Sequence, residues 1–244
     1  MAWAQALWAA VTTLTPVTDG QSTFSDDDLV RSMALYPLIG VVLGAVTAAA
    51  GATVASTAGQ PLAGLLVVVL LDAWSMGRHR CNVSALVTLA RRGDQAARTT
   101  HLHDRPSGGG IALAALVLLA KGVCAVRMSP AALTAACVLA PMLGRWAIVV
   151  QAHGGQSDLA RGRAAPLVGR AGFQEFGIAS VCTFLIAMST GHAVGLLLLV
   201  AVALETVGLR VLVARRLGGF SGRLLGASAE VAETVVFVVL SVVT

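Results

Sequence analysis

Long apolar runs, broken by short polar stretches, organise this chain from residue 36 to its end. A helix needs about 20 apolar residues to cross a hydrocarbon core of about 30 Å. Seven runs come close to that length: residues 36–58, 62–76, 109–125, 130–152, 173–188, 193–213 and 229–244. The polar stretches between them alternate in character. Those at 56–61, 127–129 and 190–192 are short and nearly uncharged. The stretch after the second run carries Arg78, Arg80, Arg91, Arg92, Arg98 and Arg105 against Asp94 and Asp104. The one after the fourth carries Arg161, Arg163 and Arg170 against Asp158, and the one after the sixth carries Arg215, Arg216 and Arg223 with no acid. Cytoplasmic loops collect Arg and Lys. The pattern therefore predicts an all-α polytopic membrane bundle of about seven transmembrane helices, with its basic loops in the cytoplasm and its C-terminus outside. Ahead of the runs, MAWAQALWAAVTTLTP lacks the basic start of a secretory signal. It reads as an interfacial or re-entrant helix with Trp3 and Trp8 at headgroup level. Ser25 followed by Asp26, Asp27 and Asp28 reads as a helix N-terminus, where carboxylates meet unpaired N–H groups and the positive end of the dipole.

Composition agrees with a bilayer as solvent. Of 244 residues, 57% are hydrophobic and only 12% charged, and mean hydropathy is +0.82. A water-soluble domain carries about a quarter charged residues, so a soluble globule is excluded. Disorder is excluded as well, since it requires low hydrophobicity. The formal net charge of +5 does not point to nucleic acid, because most of the arginines fall in the loops between apolar runs. Four cysteines (Cys81, Cys124, Cys137, Cys182) show no paired spacing, which argues against a disulfide framework. No internal repeat divides residues 1–244, which read as a single membrane domain in contact with lipid and capable of homo-oligomerisation.

Ionisable residues inside a membrane are costly and mark candidate sites. Here they are Asp72, Lys121, Arg145, Glu205, Arg210, Glu230 and Glu233. Glu230 and Glu233, three apart, share a helix face. They read either as ligands or as carboxylates at the cytoplasmic start of the last helix. Arg145 suits either a partner acid such as Glu230 or Asp72, or a ligand phosphate. Glu205 and Arg210 read as a bundle salt bridge or as snorkelling groups. Gly40 and Gly44 form a small-xxx-small surface suited to helix packing. The segment from Gly77 to Gly110 starts GRHRC and ends HLHDRPSGGG. Its six arginines beside a glycine-rich turn that opens a helix suit a phosphate or diphosphate, although cytoplasmic loops are Arg-rich for topological reasons too. His79, Cys81, His101, His103 and Asp104 in that loop do not follow a standard zinc spacing.

Several segments together resemble one family. LTP at Pro16 and YPLIGVVLGA from Tyr36 resemble its N-terminal Thr-Pro stretch and its F/Y-P-L-V-G-x-x-x-G first span. HLHDRPSGGG resembles M-K/R-D-S/G-x-x-G-x-x-G, with Asp104 and Gly108 matching, and APMLGRWAIV resembles P-x-x-G-R-W-A, with Arg145. GGFSGRLLGASAEVAE resembles G-G-x-T-G-D-x-L-G-A-x-x-E-x-x-E, with Glu230 and Glu233 in place. These are the motifs of the integral-membrane adenosylcobinamide-GDP ribazoletransferases, or cobalamin (5′-phosphate) synthases. The resemblance implies transfer of adenosylcobinamide phosphate from its GDP derivative to alpha-ribazole or its phosphate, with release of GMP, at a cytoplasm-facing Mg²⁺ site. It assigns Asp104, Glu230 and Glu233 to catalysis or metal binding. His79, Ser107, Gly108 and Arg145 are read as residues of the diphosphate substrate site, and Arg80 and Arg223, which depart from the family, as arginines that neutralise the diphosphate in place of the metal.

The chain departs from the family at H-x-D-G-x-A-D-x-x-D-G, whose aspartates fall on Cys81, Ala85 and Thr88 counting from Pro61, on Arg80, Ser84 and Val87 counting back from Asp104, and on Met76 and His79 after Asp72, so that no register keeps more than one acid. The aspartate of the C-terminal motif is Arg223. Mg²⁺ demands hard oxygen ligands, and arginines near a dication repel it. A divergent ribazoletransferase is therefore expected. The alternatives are a membrane enzyme for another diphosphate, such as a prenyl diphosphate, and a non-catalytic paralogue.

Overall fold

The computed structural model describes residues 2–17, 24–75, 82–87, 107–155 and 167–243. The regular elements among the described residues are all helical: α1 (Ala2–Leu14), α2 (Asp26–Ser32) leading through a 3-10 turn (Met33–Leu35) into α3 (Tyr36–Ala58), α4 (Gln60–Trp74), α5 (Gly108–Arg127), α6 (Pro130–Ala152), α7 (Phe173–Leu217) and α8 (Gly222–Val243). Three starts follow from local capping chemistry. The Ser25, Ser107 and Ser129 hydroxyls each accept the backbone N–H three residues on, from Asp28, Gly110 and Ala132. The expected start at Asp26 is thus present.

Five continuous helical stretches are long and apolar enough to cross a membrane: Asp26–Ala58, Gly108–Arg127, Pro130–Ala152, Phe173–Leu217 and Gly222–Val243. Gln60–Trp74 is apolar but shorter. The 45 residues of α7 are not straight. His192 has φ 49° and ψ −124°, outside the helical region, and a Cβ at Gly195 would collide with the Ala187 carbonyl oxygen. Residues eight apart in a straight helix are about 12 Å apart along the axis, so the chain doubles back. Contacts with α6 confirm the reversal. Trp146 donates to Ser180 Oγ at 3.0 Å, and His153 stacks on Phe176 at 4.6 Å, on the first arm. Gln151 donates to the Thr206 carbonyl at 2.9 Å on the second. The fifth and sixth sequence runs are thus the two arms of one helical hairpin.

α6 is the central post. α3 packs along it because Gly40 and Gly44 carry no side chain. A Cβ at Gly40 would lie 2.5 Å from the Pro141 carbonyl oxygen, and one at Gly44 would overlap that of Cys137. This is the small-residue surface the sequence predicted. On its opposite flank α6 meets α8, where Gly144 lies against the Ala229 backbone. Outward-facing Val42, Leu65, Val69, Leu119 and Leu204 remain exposed, as lipid contact requires. Antiparallel packing gathers the starts of α3, α5, α7 and α8 and the ends of α4 and α6 at one end of the bundle. That end holds the Arg170–Asp26 pair (2.7 Å), Arg223 and the hydrogen bond from Gly169 N–H to Ala152 O (2.9 Å). Gln60 donating to Met128 O marks the other end.

The structure changes three expectations. The last helix begins at Gly222 rather than at 229, because Ser221 opens it, its carbonyl accepting from Leu224 and Leu225 N–H. Glu230 and Glu233 therefore lie inside α8 and not at its start. The second run ends at Trp74. Glu205 and Arg210 do not pair: Arg210 turns to the end of α6, donating to Val150 O and to His153 O at 2.6 Å. These carbonyls have no acceptor role left within the helix, and a cation suits that end of the dipole.

Candidate functional site

Four charged side chains from three helices meet in the interior. Lys121 of α5 places Nζ 2.6 Å from Glu230 Oε1 and 3.0 Å from Glu233 Oε2. Arg145 of α6 places Nη1 3.2 Å from Glu233 Oε1 and donates from the same nitrogen to Pro141 O at 3.0 Å. All four are at most 4% exposed. Helical geometry explains the convergence. Spacing of three puts Glu230 and Glu233 on one face of α8, and the bare Gly144 lets that face close on Arg145. A Cβ there would lie 2.9 Å from Glu233 Cγ. At 1.5 Å per residue, Glu230 and Glu233 lie about 12–17 Å along α8 and Arg145 about 10 Å from the end of α6. The cluster thus sits at mid-depth, below the basic end.

Two cations and two carboxylates cancel. Isolated charges at this depth would cost many kcal/mol, whereas paired and hydrogen-bonded ones are tolerated. Arg145 Nε is buried with no hydrogen-bond partner among the described residues. Beside the cluster a polar track reaches toward the basic end. Gln151 Nε2 lies 3.4 Å from Ser228 Oγ, and Arg210 Nε lies 3.4 Å from Gln151 Oε1.

Of the residues singled out in the sequence, Arg145, Glu230 and Glu233 come together. Arg145 takes the partner-acid role with Glu233, rather than with Glu230 or Asp72. Ser107 caps α5, while a Cβ at Gly108 would meet nothing within 4 Å among the described residues. Arg223, at the start of α8, donates to Ser84 Oγ at 3.2 Å and so faces the 82–87 segment at the basic end. His79, Arg80 and Asp104 lie outside the described residues. Lys121 is the residue whose role the sequence did not disclose. The signal was there in part, as the single lysine of the chain set within an apolar run, but its partners depend on how α5 packs against α8.

Mg²⁺ would need several free oxygens in near-octahedral array. Three of the four Glu230 and Glu233 oxygens are already held by Lys121 and Arg145. Among the described residues no three His, Cys, Asp or Glu side chains group as a metal site. These residues as arranged do not fit a divalent cation.

A polytopic helical membrane protein with a buried ionic cluster beneath a basic end is the class that this geometry defines. Residues 6–241 match the family model of cobalamin-5-phosphate synthase. Two relatives named adenosylcobinamide-GDP ribazoletransferase are similar over most of their length. The one from Roseiflexus sp. (strain RS-1) is 31% identical over 94% of this chain and 85% of its own. The one from Pseudomonas fluorescens (strain SBW25) is 33% identical over 88% and 89%. No solved structure matches. The chain belongs to the cobalamin-5-phosphate synthase family.

Proposed function

We propose that this chain is an adenosylcobinamide-GDP ribazoletransferase: a hydroxyl of alpha-ribazole or its phosphate displaces GMP from the cobinamide phosphorus. The observation that carries this reading is the family match, which spans residues 6–241 and so includes the buried cluster as well as the loops. The reaction belongs at the basic end, facing the cytoplasm, where Arg223, Ser107 and Gly108 border the arginine-rich segment between α4 and α5. Guanidinium groups bind phosphate oxygens bidentately and there would neutralise the diphosphate. In this reading the chain is a divergent member, because counting from Pro61 the aspartates of the family's signature fall on Cys81, Ala85 and Thr88, and no register keeps more than one acid. A second reading, a non-catalytic paralogue, is favoured by the same substitutions together with the pairing of Glu230 and Glu233 with Lys121 and Arg145.

Genetic complementation separates the two. The chain is expressed in a strain lacking its own ribazoletransferase and fed cobinamide and dimethylbenzimidazole. Cobalamin-dependent growth supports the transferase. Failure to grow, with growth restored by Cys81→Asp, Ala85→Asp and Thr88→Asp together, supports the non-catalytic reading. Failure of both proteins, each present in the membrane at normal abundance, would count against any ribazoletransferase scaffold.

A further inference from the structure

We propose that Lys121 is the resident cation of the Glu230–Glu233 pair and keeps it closed to divalent metal ions. Its Nζ stands between oxygens of two different carboxylates, at 2.6 and 3.0 Å. That is where an ion bridging the pair would stand. Magnesium–oxygen contacts are about 2.0–2.1 Å, so the same oxygens would need to close by up to about 1 Å to bridge a metal in place of the ammonium. With Lys121 and Arg145 both present the cluster is neutral. A dication added to it would leave two uncompensated positive charges at mid-depth in the bundle, where repulsion is weakly screened. Without Lys121 the charges of Arg145, Glu230 and Glu233 sum to −1, and two carboxylate oxygens on adjacent turns of α8 lose the ammonium between them. The tethered ammonium and a free dication are therefore alternatives at one place. The inference concerns ion occupancy and holds whether or not the chain turns over substrate.

The test is Mn²⁺ binding, followed by electron paramagnetic resonance, to the full chain in lipid nanodiscs. Wild type is compared with Glu233→Gln, Lys121→Met and the double variant. In the wild-type background, Glu233→Gln is expected to leave bound Mn²⁺ unchanged, since any ion held elsewhere, for instance near Asp104, is common to both. Lys121→Met is expected to gain one site, lost again when Glu233→Gln is added. A lysine that served only to hold helices together would be lost without any such gain. Two results overturn the proposal: wild-type Mn²⁺ that depends on Glu233, or a folded Lys121→Met protein that gains none. Should Lys121→Met not accumulate, Lys121→Gln, which keeps a hydrogen-bonding group, takes its place, and the wild-type comparison decides on its own.

Discussion

At the scale of single residues, burial separates ion pairs of similar length. Arg170–Asp26 at 2.7 Å and Lys121–Glu230 at 2.6 Å are equally close. The first pair is more than half exposed, the second about 5%. Water and salt screen the first, so Asp26→Asn is expected to change stability by about 0–1 kcal/mol. Glu233→Gln removes the anion that both Lys121 and Arg145 face, leaving an excess of buried positive charge, and is expected to cost about 3–5 kcal/mol. Reversible unfolding in mixed micelles distinguishes the two, and equal losses would refute the burial argument. Candidate residues were legible at this scale because an apolar run makes any charge conspicuous: Lys121, Arg145, Glu230 and Glu233 all stood out. Their pairing was not legible. Arg145 chooses Glu233 over Glu230 through the rotation of α6 against α8, which the sequence of neither helix contains.

At the scale of elements, helix packing rests on small residues meeting backbone. A side chain at Gly44 would meet the Cys137 carbonyl of α6, whereas Val42, two residues earlier, is 59% exposed. Gly44→Leu is expected to lose at least the about 1–3 kcal/mol typical of overpacking, and Val42→Leu close to nothing, in the same unfolding assay. Gly195→Val should damage the α7 hairpin for the same reason, since its side chain would strike Ala187 O. Five helix spans could be placed closely from hydropathy alone. The 130–152 run coincides with α6, and the short uncharged stretch at 190–192 falls on the reversal at His192. The start of α8 was missed because GGFSGRLLGAS is too polar and glycine-rich to read as a span. Its helix is held by packing on α6 and by the 82–87 segment, where Asn82 fills the space over Gly226.

At the scale of the molecule, antiparallel packing puts Arg170, Arg223 and the end of α6 on one side of the bundle and the C-terminus of α8 on the other. Facing of the basic end toward the cytoplasm is expected from the arginine distribution. A green fluorescent protein joined after Arg216 should therefore fluoresce, and one joined after Val243 should stay dark, because that reporter does not mature outside. The reverse pattern would invert the proposed site. What unites the three scales is the neutral cluster of Lys121, Arg145, Glu230 and Glu233 binding α5, α6 and α8 into one unit. A double-mutant cycle on unfolding free energy, with Lys121→Met and Glu233→Gln alone and combined, measures that unity directly. The two losses should fall short of additive, with a coupling of about 0.5–3 kcal/mol. Additive losses would mean that the two side chains stand near each other without acting together.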